Sequence, residues 1–332
     1  MASRGETDHC PHLSVVIAAH GESTALLDSL DSVFSQRRRD FECILVVDGG
    51  LDEGTEVNLS ALVACDHRLR VLRQPASGLT KALIRGCAAA RGEWIARLDV
   101  GDVMAAQRLD RQAEALASSP GCVLATSDVE VCGPVWEHLR FDSQPQPQAQ
   151  ATGHPIRADS IPAQQGLSMD IPHHASVMFR RSAYEAVGGY RPEFYFGQDW
   201  DLWYRLASQG PFVHIPEVLT RVRLFPGGIS SRHWRDQRAI AQLSLACHVA
   251  RSRGESEQPL LQQAAAIRPR PPAIRKPLFD GARADGAYFI AEALRRNGDR
   301  RCWAYFREAL RHGFWKPWIW LRAFQSLLLF VA

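Results

Sequence analysis

The chain has 332 residues, of which 46% are hydrophobic and 23% charged, with a formal net charge of +3. That length sustains one large domain or two with a sizeable core. So small a charge gives no argument for a nucleic-acid binder, while suiting an anionic small-molecule substrate or loose attraction to an anionic membrane surface. No two of the eight cysteines are spaced as C-x-x-C, and no H-x-x-H or H-E-x-x-H spacing occurs, so neither a zinc nor a redox motif is present. Several cysteines, Cys43 and Cys87 among them, fall inside apolar patterns as small core residues. Met1–Cys10 is polar, without the apolar stretch of a secretory signal. Together these features lead us to expect a cytoplasmic protein.

The first half alternates. Leu13-Ser-Val-Val-Ile-Ala-Ala19 is a β-branched run ending at His20-Gly21, and predicts a buried strand. A helix is expected over about 23–36, a strand at Glu42–Val47, a helix at Thr55–Cys65 and a strand at Arg70–Arg73. Gly78–Arg91 is helical, Trp94–Leu98 a strand, and Ala105–Ser118 helical. Strands alternating with helices of this length predict βαβ units and a mostly parallel sheet. Ligands of such sheets bind off the carboxyl ends of the strands, where His20, Asp48 and Asp99 stand.

From Phe141 to Gln165 the periodicity dissolves into a loop containing Gln144-Pro-Gln-Pro-Gln-Ala-Gln150. Order resumes at His173–Phe179, followed by a short helix to Val187 and the turn Gly188-Gly189. Asp199–Ser208 is helical, and Phe212–Ile215 and Leu219–Arg223 are strands. Beyond about Ser230 helices dominate, at 235–253 and 259–266. A hairpin follows, Ala284–Asn297 and Asp299–His312, turned at Asn297-Gly298.

Three constellations could carry chemistry. Asp48-Gly-Gly-Leu-Asp-Glu-Gly-Thr55 ends a strand in acidic and glycine residues. It serves either as a plain turn or as a place for Asp48 to accept a base N–H. Asp99 and Asp102 follow another strand. They can hold Mg²⁺ or Mn²⁺ against a diphosphate, or simply form an Asx-turn and helix cap. Gln198-Asp-Trp-Asp201 opens a helix, where a carboxylate is favoured as the anion and can act as a general base or only as a cap. Trp203, at helical spacing beside Trp200 and Tyr204, is expected in the core.

Taken in order, these segments resemble a family 2 inverting glycosyltransferase of the GT-A fold. The carriers are Val16-Ile-Ala-Ala-His-Gly21, Val46–Thr55, Gly78-Leu79 and Ala89-Ala-Arg-Gly-Glu-Trp-Ile95. Later come Ser176-Val-Met-Phe-Arg-Arg181, Gly188-Gly-Tyr-Arg-Pro192 and Gln198-Asp-Trp-Asp-Leu-Trp-Tyr-Arg-Leu206. The resemblance spans about 13–231. It implies a Rossmann-like, mixed, mostly parallel sheet flanked by helices: a nucleotide-binding half over 13–103 and an acceptor half over 104–231. Residues 1–12 are then a tail and 232–332 a helical C-terminal extension. It implies Asp199 as catalytic base and Asp48 as the contact to a uracil-type base. Ala19, His20, Glu22, Lys81 and Asp99 would line the nucleotide pocket, and Asp99 would begin the D-x-D-like element. Arg223 would lie near the donor diphosphate, with Arg97 and Arg232 as further cationic candidates. His174, Gln198 and Trp200 would face the acceptor. The implied activity moves a sugar from a UDP- or dTDP-type donor to a hydroxyl of a glycan or lipid-linked acceptor, in cell-surface polysaccharide synthesis.

Three departures from the family pattern stand out, and two of them, Gly101 and Phe225, fall at likely metal contacts. Gly49 replaces the second aspartate of V-V-D-D-G-S, Gly101 stands where L-D-A-D-D places a ligand, and Phe225 replaces the histidine of R-x-H-P. Either Asp99 and Asp102 hold Mg²⁺ or Mn²⁺ by themselves, or cationic side chains stabilise the leaving diphosphate with little or no metal. The same departures motivate an alternative, a nucleotide-sugar-binding pseudoenzyme or scaffold. Retention of Asp48, Asp99, Asp102 and Asp199 opposes it. A nucleotidyltransferase would need a glycine-rich, basic loop after the first strand, which His20-Gly-Glu-Ser-Thr24 is not.

Residues 314–332 are rich in Trp, Leu and Phe but are interrupted by Lys316 and Arg322, which is too short and too broken for a membrane span. Two readings stand open: a terminal helix on the protein's own core, or an interfacial helix at the inner face of a membrane.

Overall fold

The computed structural model describes residues 11–21, 24–142, 172–269 and 278–331. Its first half alternates as expected: β1 (Leu13–Ala19), α1 (Thr24–Phe34), β2 (Phe41–Asp48), α2 (Glu53–Cys65), β3 (Leu69–Gln74), α3 (Leu79–Ala88) and β4 (Trp94–Arg97). There follow β5 (Val103–Met104), α4 (Arg108–Ala117), β6 (Leu124–Cys132) and β7 (His138–Asp142). After a 3-10 turn at His174–Ser176 come β8 (Met178–Arg180), α5 (Arg181–Ala186), α6 (Gln198–Leu206) and β9 (Phe212–Arg223). Six more helices complete the chain: α7 (Ile229–Arg232), α8 (Trp234–Ser252), α9 (Gln258–Ala266), α10 (Gly281–Arg296), α11 (Cys302–Gly313) and α12 (Pro317–Val331).

The strands form one sheet in the order β3-β2-β1-β4-β8-β6-β9-β5, with β7 paired to β6. β1 to β4 are mutually parallel, β8 runs antiparallel between β4 and β6, and β6 and β9 are parallel. The period of two along a strand sends alternate side chains to opposite faces. On β2, Cys43, Leu45 and Val47 join the core under α1, α2 and α4, while Ile44 and Val46 join the one under α3, α5 and α6. Burial on both faces explains why β1 and β2 are near-continuous apolar runs. Cys43 and Cys87 lie in these cores. Trp203 is also core, its indole N–H donating to the Pro172 carbonyl at 3.2 Å.

Three expectations are corrected. The segment from Phe141 was expected to be irregular, yet Phe141 and Asp142 end β7; residues 143–165 of that loop lie outside the described residues. The two short strands at 212–215 and 219–223 are one twelve-residue strand. Pro216 marks its irregularity, because proline lacks the ladder N–H, and the register with β6 shifts at Ser127/Asp128. Finally, β6 was not anticipated. Its polar Thr126, Ser127, Asp128 and Glu130 mask a strand whose Thr126 and Ser127 are buried.

The helical hairpin is present as α10 and α11, turned at Asn297-Gly298 with Gly298 at φ +70°. It packs on β6, β7 and β9 through Val129, Leu139, Val222, Ile290, Leu294 and Phe306.

Candidate functional site

A cleft of about 1730 Å³ opens at the carboxyl ends of β1, β2 and β4. Ala19, His20, Asp48, Lys81, Asp99 and Asp102 line it from the first half of the sheet. His174, Gln198, Asp199, Trp200 and Arg223 face them from the second. Glu22 lies outside the described residues. Arg97 and Arg232 are not among the lining residues.

Asp48 ends β2 as a buried carboxylate. Its oxygens accept hydrogen bonds from Gln74 Nε2, Ser77 N and Gly78 N, each at 2.8 Å. These bonds pin the 75–78 loop to the sheet and leave acceptor capacity, since an ionised carboxylate has about four lone-pair sites. Gly49 follows at φ +98°, and a Cβ there would sit 3.2 Å from His20 Nδ1 and 3.3 Å from the Ala76 methyl. His20 Nδ1 in turn bonds the Asp48 carbonyl. This close packing accounts for glycine where the family pattern has its second aspartate. Asp52 acts apart from this cluster and caps α2, accepting from Thr55 N at 3.0 Å.

Asp99 and Asp102 differ in environment. Asp99 pairs with the guanidinium of Arg97 and lies 3.5 Å from His174 Nδ1. Burial alone would raise its carboxyl, but Arg97 and His174 outweigh it and hold it well below the ordinary carboxylate range. Asp102 is buried and accepts from Arg223 N at 2.9 Å. Burial, and then the charge of Asp99, push its carboxyl well above the ordinary value.

The sequence leaves Arg97 as either a diphosphate contact or a solvated charge, and its surroundings correct the second view. It is fully buried, donates to the carbonyls of Val16 and Leu98, and is paired with Asp99. Arg232 is exposed but turned away, bonded to Asp280 at 2.6 Å and to the Gly227 carbonyl. His174 is buried, with Nε2 2.8 Å from the Tyr190 hydroxyl, so it joins the cleft floor to the core.

Asp199 is the second residue of α6, after Gly197 in the left-handed region at φ +56°. It is half-buried and makes no side-chain hydrogen bond or ion pair with another described residue. Asp201, two residues on, is fully buried and paired with Arg205 at 2.6 Å and with Arg191 at 3.5 Å.

Several cleft residues escaped the sequence reading. Tyr195 packs against Gly78, where a Cβ would come within 2.6 Å of its ring. Gln237 and Arg238 enter from α8, inside the segment expected to be an extension. Trp136 is not a lining residue but backs one: in the turn between β6 and β7, it has φ +66°, an outlier for a bulky side chain. Its ring carries the guanidinium of Arg223 at 4.3 Å and that of Arg221 at 5.0 Å. Only the glycine pattern hinted at any of these, through Gly78.

The residues of the D-x-D-like element fit a divalent cation poorly. Among the described residues no group of three His, Cys, Asp or Glu could hold one. Gly101 has φ +98°, and a Cβ on it would lie 3.3 Å from the Phe225 ring. The two positions that depart from the family's metal contacts therefore lie side by side, with the Phe225 ring filling the space a side chain at Gly101 would need.

The model for the family described as glycosyl transferase family 2 matches residues 14–188. Similar curated proteins include the amylovoran biosynthesis glycosyltransferase AmsE of Erwinia amylovora. It is 26% identical over 235 residues, covering 69% of this chain and 83% of AmsE. The O-antigen biosynthesis glycosyltransferase WbnJ of Escherichia coli is 24% identical over 220 residues, covering 64% of this chain and 79% of WbnJ. Among solved structures, S. aureus TarS 1-349 superposes with a TM-score of 0.55 at 12% identity, over 86% of this chain and 81% of that one. The mannosyltransferase PcManGT from Pyrobaculum calidifontis, in complex with GDP-Man and Mn²⁺, gives 0.52 at 16% identity, over 96% and 85%. The sheet and its flanking helices are the GT-A fold, and the chain belongs to glycosyl transferase family 2 and is a glycosyltransferase.

Proposed function

We propose that this enzyme moves a sugar from a UDP- or dTDP-type donor to a hydroxyl of a glycan or lipid-linked acceptor, with inversion, in the synthesis of a cell-surface polysaccharide. The names of AmsE and WbnJ support the polysaccharide setting. The observation that carries the mechanism is Asp199, a carboxylate in the cleft wall with no partner among the described residues, on the rigid first turn of α6.

Asp199 takes the proton of the acceptor hydroxyl. The freed oxygen forms the new bond to the anomeric carbon from one face. The bond from that carbon to the diphosphate oxygen breaks on the other, and its electron pair leaves with the nucleoside diphosphate. The proton then passes from Asp199 to solvent. Asp48 accepts the base N–H, and Ala19 and His20 flank the nucleotide. Gln198 and Trp200 face the acceptor, and the buried His174 holds Asp99 in place. Residues 13–103 then serve the nucleotide and 104–231 the acceptor, while 232–332 adds α8 to the cleft rim. A divalent cation, when bound, would neutralise charge on the diphosphate. The apolar Gly101–Phe225 pair favours the reading in which Lys81, Arg223 and Arg238 carry most of that burden instead.

The test is Asp199→Asn, assayed for transfer and for binding of nucleoside diphosphate. A positioned general base contributes about 10²–10⁴-fold. Turnover should fall by at least about a hundredfold with nucleotide binding retained, and near-wild-type turnover would refute the assignment. If the wild-type protein binds nucleotide sugars yet transfers none to a panel of glycan and lipid-linked acceptors, the pseudoenzyme reading takes its place.

A further inference from the structure

Helix α12 is amphipathic the wrong way round for a water-facing surface. Among its described side chains Ile319, Ala323 and Ser326 are buried, one helical stripe against α10 and α11. The opposite arc carries Trp318, Trp320, Leu321, Phe324 and Leu327, each 48–62% exposed. No Lys, Arg, Asp or Glu stands on it; Arg322 sits half-buried at its edge, bonded to Gln325. The patch continues past the start of the helix. Phe314 and Trp315 are exposed and in edge-to-face contact with Phe279 and with each other. Contiguous apolar surface of this kind marks an interaction site.

Two features select the occupant. Residues 278–331 carry nine Lys or Arg against five Asp or Glu, an excess of four in a chain whose total is +3, so the positive charge is concentrated in the part that bears the patch. A second copy docking patch to patch would bring these like-charged surroundings together, because a two-fold contact is self-complementary. The side chains themselves include three tryptophans, whose apolar rings and polar N–H suit the boundary between acyl chains and headgroups. No helix among the described residues is long and apolar enough to cross a membrane.

We infer that α12, with Phe279, Phe314 and Trp315, lies in the surface of an anionic lipid bilayer and docks the enzyme there. The helix rests parallel to the membrane plane, its aromatic arc in the headgroup–acyl boundary and the basic flanks of α10 and α11 over the headgroups. This deepens the lipid-linked branch of the proposed function, because an acceptor carried on a lipid would be presented at that surface. Gly286 of α10 packs against the Pro226 carbonyl and Arg232 against Asp280, so the docked helices are joined directly to the segment that follows Arg223 at the cleft.

The experiment uses the full chain and vesicles of phosphatidylcholine alone or with an added fraction of phosphatidylglycerol, whose anionic headgroups attract near-surface Lys and Arg. The comparison protein is the triple variant Trp318→Ser, Trp320→Ser, Phe324→Ser, which leaves the buried stripe intact. Wild type should co-sediment with the anionic vesicles, at least tenfold more weakly with neutral ones, and less as salt is raised. The variant should lose at least tenfold in partition while keeping its circular dichroism spectrum and its nucleotide binding. Equal partition of the two proteins, or no partition of wild type, overturns the inference. So does a wild-type dimer in solution that the triple variant dissociates, which would make the occupant a second copy. Vesicle binding is read without catalysis, so failure here is separable from failure of the transfer reaction.

Discussion

The guanidinium of Arg223 lies 4.3 Å from the ring centroid of Trp136, with the Phe225 ring, just past the end of β9, 5.3 Å away and Asp28 at 2.9 Å. The register of the sheet creates this contact. Cys132, at the end of β6, is paired with Arg223, at the end of β9, so the turn that follows β6 reaches the side chain that β9 delivers to the cleft. The turn is held from below by Glu137, whose carboxylate accepts from the Tyr305 hydroxyl and from Val135 N.

If Arg223 contacts the donor diphosphate, Trp136 is a positioning residue for it. A partly desolvated cation–π contact contributes about 1–2 kcal/mol, which is roughly a 5- to 30-fold change in an affinity. Trp136→Ala should raise the donor KM within that range and leave kcat nearly unchanged. Trp136→Phe should recover most of the loss. Equal donor binding by all three proteins in calorimetry would dismiss the role.

Asp199 and Asp201 are two residues apart and are expected to respond oppositely. Asp201 is fully buried between Arg205 and Arg191, so Asp201→Asn leaves a buried guanidinium short of its counter-charge. Breaking such a pair costs about 3–5 kcal/mol. Thermal denaturation should show a drop of many degrees for Asp201→Asn and almost none for Asp199→Asn. A stable Asp201→Asn protein would mean that the pair is not what anchors α6.

How far the sequence discloses the site depends on what each residue's role rests on. Asp48 and Asp99 were legible because a polar residue at the end of an apolar strand is a local signal. Asp199 was legible because a helix start is one too. The environment of Arg97 was not: nothing nearby in sequence announces that its guanidinium will meet the Val16 carbonyl across the sheet. Tyr195 and Arg238 reach the cleft, and Trp136 reaches Arg223 behind it, only through tertiary approach, of the 194–197 segment to α3, of α8 to α6, and of β6 to β9. β6 itself was hidden because its buried Thr126 and Ser127 are satisfied by hydrogen bonds, Thr126 with the Ser176 hydroxyl and Ser127 to the Asp128 carbonyl, each at 3.2 Å, rather than by being apolar.

The placement of the Phe225 ring beside Gly101 bears on metal dependence. With an apolar pair at the two departing positions, and Asp102 buried and bonded to the Arg223 backbone, the cleft offers Asp99 as its one accessible carboxylate of the D-x-D-like element. Transfer should therefore persist in excess chelator with a loss of less than about threefold, far below the several kcal/mol that a resident Lewis acid supplies. Abolition of transfer by chelator and its restoration by Mn²⁺ would refute this reading.

If transfer runs without a metal, a leaving diphosphate needs protein cations, and their existing partners decide which can serve. Arg97 is spent on Asp99 and two carbonyls, Arg232 on Asp280, and Arg223 already shares its charge with Asp28. Lys81 on α3 and Arg238 on α8 both line the cleft, and neither makes an ion pair with another described residue. A cation whose charge is not already compensated can respond to charge that develops at the transition state, and it does so more strongly where water is excluded. Lys81→Gln and Arg238→Gln should each lower kcat about tenfold or more, a loss of roughly 1.4 kcal/mol of barrier stabilisation, with little change in folding stability because both are exposed. Arg232→Gln, by the same reasoning, should leave kcat within about twofold. If Arg232→Gln proves the most damaging of the three, α7 must turn toward the cleft when donor binds, and the Arg232–Asp280 pair is then a contact broken on closure rather than a fixed strut.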